Sequence, residues 1–314
     1  MTITHVAAAV LLRDDGSYLL GQRAANTFYP GYWEFLGGKV EPGEAPRDAL
    51  IRELHEELGI EVVQCFPWIV REHRYEHAHV KLHFFRVTEW RGELHDHVHA
   101  ALSWQAIGAN SVTPMLPANG PVLKALSLPD FYAVTHAAEI GTDAQLSALE
   151  QALKSGLRLV QIRERDMPEP QRTAFASEAV RLIQGFGAHA LINGDADMAL
   201  ELGADGVHLT ARQLMTTMQR PEFKLVGASC HSRDELDHAI ALGLDFAVAG
   251  AVNTTPTHGM QEGIGWENFS KIVAESPIPV FAIGGLQRGN MLLSWKHGAH
   301  GIAAIRSAWS AELR

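Results

Sequence analysis

Three glutamates on one predicted helix are the side chains in this sequence best placed to do chemistry together. Glu53, Glu56 and Glu57 lie in a run from Pro46 to Leu58 whose leucines recur at every fourth residue, as on a helix with one buried stripe. Residues three and four positions apart share a helical face, so the three carboxylates are expected to crowd together. Carboxylates in such a cluster are typical ligands of Mg²⁺ or Mn²⁺. The spacing therefore predicts a divalent-cation site.

The residues around this helix complete a predicted metal cradle. Arg52 is expected to hold a carboxylate through two parallel hydrogen bonds. Glu44 precedes the helix, where the helix dipole favours an anion. Gly37, Gly38 and Gly43 allow a tight backbone path that leaves carbonyl groups free to coordinate. We predict that the metal ligands are Gly37, Glu53, Glu56 and Glu57, and that the catalytic residues are Glu53, Arg52 and Glu44.

The segment Gly38 to Ile60, GKVEPGEAPRDALIRELHEELGI, matches the Nudix box at all of its fixed positions. A solvated acidic helix is the alternative explanation for a run of charges, but it does not account for the glycines on both sides. The sequence from Val6 to Leu126 resembles the MutT-type 8-oxo-dGTP diphosphatases of the Nudix superfamily. Besides the box, the resemblance includes the motifs GQRA, WEFLGGK and PANGPVLKAL.

This resemblance implies an α/β/α sandwich with a mixed sheet. It also implies hydrolysis of a nucleoside triphosphate such as 8-oxo-dGTP to the monophosphate and pyrophosphate. Such a reaction would serve DNA repair through nucleotide-pool sanitation. The Asn119 amide would offer both a donor and an acceptor to an oxidised guanine. An alternative substrate is a pyrophosphate of the thiamin pathway. The substrate-binding residues carried over by position are Arg23, Glu34, Phe35, Leu36 and Asn119.

The loop GELHDHVHAALSWQ departs from the Nudix pattern, in which a further glutamate ligand is usual. It supplies Glu93 and Asp96, neither at a matched position, so the identity of that ligand stays open. His95, His97 and His99 are spaced like transition-metal ligands on an extended strand. A polar surface loop is the favoured interpretation, because no paired cysteine or supporting acid is fixed nearby.

The length and a proline-rich segment predict two domains. The chain has 314 residues, more than the roughly 250–300 at which single cores usually divide. Four prolines between Pro114 and Pro129 surround a short helical run from Val122 to Leu126. We place the boundary there, with a Nudix domain over residues 1–129 and a second domain over residues 130–314.

The second domain alternates apolar strands with helices, which indicates a parallel sheet covered by helices. Eight such units predict a (βα)₈ TIM barrel, and an open doubly wound sheet is the alternative. The predicted strands are Phe131–Thr135, Leu157–Ile162, Ala188–Asn193, Gly206–Leu209, Lys224–Ala228, Phe246–Gly250, Pro279–Ile283 and Gly301–Ile305.

The carboxyl ends of the barrel strands are where such a fold holds its chemistry. Gly284, Gly285 and Ser307 follow the last two strands, where backbone N–H groups commonly bind phosphate. The motifs LVQIRERD, LGADGVHL, GASCHS, AVNTTPTHG and PVFAIGGL resemble the thiamin phosphate synthase and TenI-like thiazole tautomerase family over Phe131 to Ser307. The resemblance puts His231 at the position of the tautomerase's proton-transferring histidine.

Several synthase residues are replaced in this chain. Gly194 and the Thr210–Arg212 loop stand where the synthases carry Mg²⁺-binding acids, and His258 stands where they usually place a lysine. These changes remove the charges that would stabilise a leaving pyrophosphate. We therefore expect a barrel that binds a thiazole or thiamin phosphate and is either a thiazole tautomerase or catalytically degenerate. A noncatalytic regulatory module is the alternative.

Bulk properties exclude several other classes of protein. A net charge of −10 and a pI near 5.9 argue against binding to nucleic-acid polymers or anionic membranes. Cys65 and Cys230, the only cysteines, define neither a disulfide framework nor a cysteine zinc site. The apolar run from Val6 to Leu12 lacks the features of a signal peptide or a membrane span. We expect a cytoplasmic protein.

Overall fold

The computed structural model describes residues 2–254 and 262–309. The chain divides into two compact units. The first takes in the chain up to Leu128 together with Glu275–Pro277, and the second takes in the remainder from Pro129. Within the described residues, no helix combines the length and apolarity that a bilayer span requires.

A mixed four-stranded sheet forms the centre of the first unit. Its middle strand β1 (Ile3–Leu11) pairs antiparallel with β4 (Leu36–Lys39) on one side and parallel with β6 (His79–Arg91) on the other. The long strand β5 (Glu61–Arg74) then pairs antiparallel with β6, giving the order β4-β1-β6-β5. The predicted mixed sheet is confirmed.

A second, three-stranded sheet has the order β3-β2-β7. The sequence predicts a hairpin between the β-rich runs on either side of Asp14–Gly16, and this prediction is wrong. Only one bridge, between Leu12 and Tyr18, joins them, because both edges of β1 are taken by β4 and β6. The strands of the second sheet are β2 (Tyr18–Gln22), β3 (Trp33–Glu34) and β7 (Ala101–Gln105).

Helix α1 (Pro46–Leu58) has the predicted bounds and carries the predicted carboxylates. Leu50, Leu54 and Leu58 are fully buried. Burying a leucine side chain stabilises a fold by about 1.5–3 kcal/mol, so this stripe fixes the helix against the sheet. Gly59 ends the helix in a left-handed conformation (φ 69°), as its position after the last leucine predicts. A shorter helix, α2 (Gly120–Leu126), lies near the end of the unit.

The second unit is a closed barrel of eight parallel strands, which confirms the predicted (βα)₈ fold over the open sheet. The barrel strands are β8 (Phe131–Val134), β9 (Leu159–Ile162), β10 (His189–Asn193), β11 (Gly206–Leu209), β12 (Leu225–Cys230), β13 (Phe246–Gly250), β14 (Val280–Ile283) and β15 (Gly301–Ala304). The described helices are α3 (Ala137–Ile140), α4 (Thr142–Lys154), α5 (Glu169–Gly185), α6 (Ala196–Glu201), α7 (Ala211–Thr216), α8 (Arg233–Ala241), α9 (Gly265–Val273) and α10 (Met291–Lys296).

Aromatic residues fill the barrel at the amino ends of its strands. Tyr132 packs edge-on against Phe246, with 5.3 Å between ring centroids, and Phe281 lies 5.6 Å away. All three are fully buried. Because this end is filled, the cavity of the barrel opens at the carboxyl ends of the strands, where the chemistry of the fold is expected.

Candidate functional site

Arg52 organises the acidic face of α1. Its Nη1 donates to Glu53 Oε1 at 2.8 Å, and its Nε and Nη2 donate to the two Glu44 oxygens, each at 3.1 Å. Glu56 lies farther from Nη1, at 3.4 Å, and most of its side chain is exposed. The hydrogen bonds from Arg52 hold the pKa of Glu44 below its usual range. Arg52 therefore contacts three of the predicted carboxylates at once.

Two glycines of β4 make close approaches, one to the backbone of β1 and one to the Glu53 carboxylate. A Cβ at Gly38 would lie 2.1 Å from the carboxyl carbon of Glu53. Gly37 has φ +136°, and a Cβ there would lie 2.1 Å from the carbonyl oxygen of Ala7. Any side chain at either position would collide with its neighbour. Gly37 is therefore needed for β4 to lie close to β1, and Gly38 lets β4 pass next to the end of the Glu53 side chain.

Glu57 is the most perturbed carboxylate of the face. Burial raises its pKa to about 8, and the charges of Glu53, Glu34 and Asp96 add to the effect, which the Gly37 backbone N–H opposes. Its Oε2 is buried without a hydrogen-bond partner. A buried, unpartnered carboxylate oxygen surrounded by other acids is stabilised by a cation, so this oxygen fits the predicted metal.

The predicted ligands are not arranged as a complete metal cage. In the described part of the chain, no three His, Cys, Asp or Glu side chains are placed to hold one ion together. Glu53 and Glu44 turn toward Arg52 instead, and Glu56 faces solvent. The ligand set of Gly37, Glu53, Glu56 and Glu57 therefore stays a prediction, which the environment of Glu57 supports.

The loop that contains His95, His97 and His99 places an acid and an imidazole near the acidic face of α1. Asp96 is one of the charges that raise the pKa of Glu57, and its Oδ1 accepts hydrogen bonds from the backbone of Val98 and His99. The His99 ring packs against Gly21, where a Cβ would lie 2.4 Å from it. His95 and His97 have ring centroids 6.5 Å apart. Among the residues described, the three histidines form no metal-holding group.

A cleft of about 480 Å³ lies next to Glu57, and its walls include Gly37 and Gly38. Arg23 and Glu34 also line it and form a two-point ion pair, from Nη1 to the two carboxylate oxygens, at 2.7 and 2.6 Å. Burial raises the pKa of Glu34, and Arg23 opposes that rise. The structure thus brings two of the predicted substrate-binding residues to the cleft.

The other three predicted substrate-binding side chains are not among the described lining of this cleft. Phe35 packs edge-on against Phe84 in the core, at 5.5 Å between centroids, and Leu36 is fully buried. Asn119 is 4% exposed, and its Nδ2 donates to the carbonyl oxygen of Trp33 at 3.3 Å. These three side chains, which the sequence predicts to contact the substrate, are therefore engaged in core packing or in an internal hydrogen bond.

Sequence reasoning missed an aromatic surface on the cleft wall, formed by Phe28, Tyr29, Tyr75 and His77, which we call the aromatic shelf. Phe28 is 67% exposed and stacks on His77, with 4.2 Å between centroids and an interplanar angle of 12°. Tyr29 lies 5.5 Å from Tyr75. The aromatic residues clustered in the segments TFYPGYW and RYEHAH, on either side of the Nudix box, were the available signal.

The mouth of the barrel holds a second cavity, of about 280 Å³. His231 is at its rim, with half of its side chain exposed and its Nδ1 3.3 Å from Glu235 Oε2. Deeper in the cavity, His208 Nε2 lies 3.0 Å from Ser229 Oγ. Burial lowers the pKa of His208 to about 3, and the charges of Arg163 and Arg165 lower it further. His208 is therefore neutral at physiological pH.

The predicted phosphate-binding residues are not among the described residues lining this cavity. Ser307 Oγ donates to the carbonyl oxygen of Leu286 at 2.6 Å. Gly284 has φ +121°, and a Cβ there would lie 2.6 Å from the Val252 nitrogen, so the chain needs glycine at this position. The role of Gly284, Gly285 and Ser307 in phosphate binding stays a prediction. His258 lies outside the described residues.

Comparison with known families matches each unit separately. The NUDIX domain profile matches residues 3–126, and the thiamine monophosphate synthase profile matches residues 131–308. A candidate thiamine-phosphate synthase of Geobacter sulfurreducens is 37% identical over 178 residues, which is 55% of this chain and 84% of that protein.

Two relatives match the first unit. The CTP pyrophosphohydrolase of Escherichia coli is 42% identical over 125 residues, covering 40% of this chain and 92% of that protein. The 8-oxo-dGTP diphosphatase of Proteus vulgaris is 43% identical over 90 residues, covering 29% of this chain and 80% of that protein. The chain therefore belongs to the Nudix family through its MutT-like N-terminal domain and to the thiamine monophosphate synthase/TenI family through its C-terminal barrel.

Proposed function

We propose that the Nudix domain hydrolyses a nucleoside triphosphate to the monophosphate and pyrophosphate with Mg²⁺ or Mn²⁺, and that 8-oxo-dGTP is its substrate. The observation that carries this proposal is the unpartnered Glu57 oxygen beside a cleft of nucleotide size. Proteins of the Nudix family typically use a divalent metal. The relative from Proteus vulgaris, named for 8-oxo-dGTP, supports this substrate.

The residues on α1 and next to it would have different roles in the reaction. Glu57 and Glu53, with Glu56 and the Gly37 carbonyl, would hold the cation, whose chemistry is to polarise the phosphate oxygens. Arg52 donates to one oxygen of Glu53 and so orients this carboxylate, which would also accept a proton from the attacking water. Glu44, held by Arg52 at the start of the helix, keeps that guanidinium in place.

The aromatic shelf would hold the nucleobase. Stacking on an aromatic ring contributes about 1–3 kcal/mol per base and tolerates any base. Discrimination must therefore come from polar groups, and the Arg23–Glu34 pair on the same wall is placed to provide them. CTP is a second candidate substrate, because the relative from Escherichia coli is matched over 92% of its length.

The barrel would bind a phosphorylated thiazole or thiamin at its mouth. Synthase activity is not expected, because neither Gly194 nor the Thr210–Arg212 loop carries an acid, and Gln213, the residue after that loop, makes a neutral contact in which its Nε2 donates to the Gly194 carbonyl oxygen at 2.7 Å. His231 at the rim could transfer a proton on the ring. Calorimetry with thiazole phosphate should show binding, and a synthase assay should show no thiamin phosphate. Robust thiamin phosphate formation would refute the degenerate-synthase proposal.

Product analysis tests the Nudix reaction. With 8-oxo-dGTP and Mg²⁺, chromatography should show the monophosphate and pyrophosphate in equal amounts. Release of orthophosphate with a nucleoside diphosphate would place the attack on the terminal phosphorus and contradict the proposal.

A further inference from the structure

His99 is a polar residue of the cleft wall to which the proposed reaction gives no role. Its side chain is only 6% exposed, and it lines the 480 Å³ cleft next to Val98. The ring packs against Gly21, where a Cβ would lie 2.4 Å from Cδ2 and 2.8 Å from Nε2. The absence of a side chain at Gly21 therefore makes room for the imidazole in this position.

The two ring nitrogens of His99 have different surroundings. Nδ1 is fully buried, has no hydrogen-bond partner among the described residues, and lies 3.5 Å from Asp96 Oδ1. That carboxylate is itself held in place, because Oδ1 accepts hydrogen bonds from the backbone of Val98 and His99. Since Nδ1 is enclosed, Nε2 is the nitrogen left to meet a molecule in the cleft.

The same surroundings determine the protonation of the ring. Burial lowers the pKa of His99, Asp96 opposes this, and the charge of Arg23 lowers it further. The imidazole is therefore neutral at physiological pH and carries one ring proton. A carboxylate beside one nitrogen of a neutral imidazole draws that proton to it and leaves the other nitrogen as an acceptor. We therefore expect Nε2 to accept a hydrogen bond and not to donate one.

His99 lies close to both of the charged groups proposed to handle the nucleotide. Arg23, paired with Glu34, acts on the His99 ring, and Asp96 beside that ring acts on Glu57 of the acidic face. Asn119, which the sequence predicts to contact the base, donates instead to a backbone carbonyl in the structure. His99 therefore offers the cleft an acceptor of fixed direction that Asn119 does not.

We propose that His99 Nε2 accepts a hydrogen bond from the nucleobase and thereby selects 8-oxopurine nucleoside triphosphates as a class. This inference rests on the proposed hydrolysis of 8-oxo-dGTP. Oxidation at C8 places a hydrogen on N7 of the purine, whereas N7 of an unoxidised purine is an acceptor. A fixed acceptor pairs with the first and is repelled by the second. Because adenine and guanine share N7, 8-oxo-dATP belongs to the same class.

Ratios of kcat/KM on the full chain with Mg²⁺ test this role. The ratio of 8-oxo-dGTP to dGTP should be at least ~5, the low end of the cost of leaving a buried hydrogen-bonding group unpaired. The ratio of 8-oxo-dATP to dATP should favour the oxidised base as well. In 7-deaza-dGTP a C–H group replaces N7, so this analogue should be a better substrate than dGTP.

Two variants separate an acceptor from a residue that only packs. His99→Gln places near Nε2 an amide that can turn to donate or accept, so the ratio of 8-oxo-dGTP to dGTP should fall at least ~5-fold. Asp96→Asn keeps an oxygen for the backbone N–H groups but removes the charge that holds the ring proton on Nδ1. In this variant the advantage of 7-deaza-dGTP over dGTP should disappear, because Nε2 can then donate to N7.

His95→Gln is the matched control, because His95 is on the same loop and outside the described cleft lining. It should keep the wild-type ratios, and circular dichroism should show all three variants folded. An unchanged ratio in His99→Gln, or 7-deaza-dGTP no better than dGTP in the wild type, would overturn the role of His99 while the proposed hydrolysis stands. A wild type without preference for 8-oxo-dGTP would overturn both this role and the proposed substrate.

Discussion

At the scale of single residues, the proposed Nudix chemistry depends on two carboxylates in different surroundings. Glu57 has a buried carboxylate oxygen without a hydrogen-bond partner. Glu53 lies against Gly38, and one of its oxygens accepts a hydrogen bond from Arg52. If these groups bind the cation, removing one charge leaves it under-coordinated. Glu53→Gln and Glu57→Gln should each lower kcat by at least ~10²-fold in steady-state assays with Mg²⁺.

Glu61→Gln is the control for these variants, because Glu61 is exposed at the start of β5 and lies outside the described cleft lining. It should retain full turnover. Near-normal turnover by Glu53→Gln or Glu57→Gln, in a folded protein, would show that the metal assignment is wrong.

Asn119 is a second residue whose role can be measured. The family resemblance predicts that its amide reads the purine edge, whereas in the structure its Nδ2 donates to the Trp33 backbone. If the amide exchanges this bond for the base, Asn119→Ala should lose about 1–3 kcal/mol of discrimination between 8-oxo-dGTP and dGTP in kcat/KM. A wild-type chain with no preference between these nucleotides would rule out the selective pocket altogether.

At the scale of elements, the aromatic shelf depends on two loops, between β2 and β3 and between β5 and β6. Phe28→Ala should raise KM about 5- to 150-fold for every nucleoside triphosphate, because stacking contributes about 1–3 kcal/mol without reading the base. Met218→Ala removes a comparably exposed apolar side chain on the barrel and should leave KM unchanged. An unchanged KM for Phe28→Ala would remove the shelf from the substrate site.

The barrel interior predicts a dependence of stability on pH. His208 has its pKa lowered to about 3 by burial and by Arg163 and Arg165, while in the unfolded chain it titrates near its ordinary value of 6.5. Between these values only the unfolded state takes up the proton, so His208 costs stability as pH falls through that window. Urea unfolding at pH 7, 6 and 5 should show the wild type losing roughly 1 kcal/mol per pH unit more than His208→Gln. Parallel losses would contradict this explanation.

Regular elements with an uninterrupted pattern could be predicted from the sequence. The leucine stripe of α1 gives its bounds, and the apolar runs give all eight barrel strands. Strand β5 could not be predicted, because Pro67 and three shifts of register break its alternation. The hairpin prediction failed because a turn signal describes local chain reversal and carries no information on which distant strand takes the edge of β1.

In the candidate site, too, some residues could be placed from the sequence and others could not. Arg52 and Glu53 could be brought together from the sequence because one helix carries both. Phe35, between β3 and β4, and Asn119, in the 3-10 turn Pro117–Asn119, could not be placed, because the direction of both side chains depends on contacts with residues far along the chain. The aromatic shelf was missed for the same reason, since its loops lie about 45 residues apart in sequence and only the fold joins them.

At the scale of the whole molecule, two families share one chain, and the predicted boundary after residue 129 remains a proposal. The fusion raises the question of whether the Nudix domain acts on nucleotides or on diphosphates of the thiamin pathway. The described cleft walls favour a nucleotide, because they combine the aromatic shelf with the Arg23–Glu34 pair next to Glu57.

A comparison of kcat/KM among substrates, on the full chain with Mg²⁺, is the most direct test of the proposed nucleotide hydrolysis. The panel consists of 8-oxo-dGTP, dGTP, CTP and thiamin-pathway diphosphates, with Glu57→Gln as the inactive control. If the Nudix domain hydrolyses 8-oxo-dGTP as proposed, kcat/KM should be highest for 8-oxo-dGTP, and the activity should be lost in the control. A higher value for a thiamin-pathway diphosphate, or hydrolysis that persists in Glu57→Gln, would contradict it.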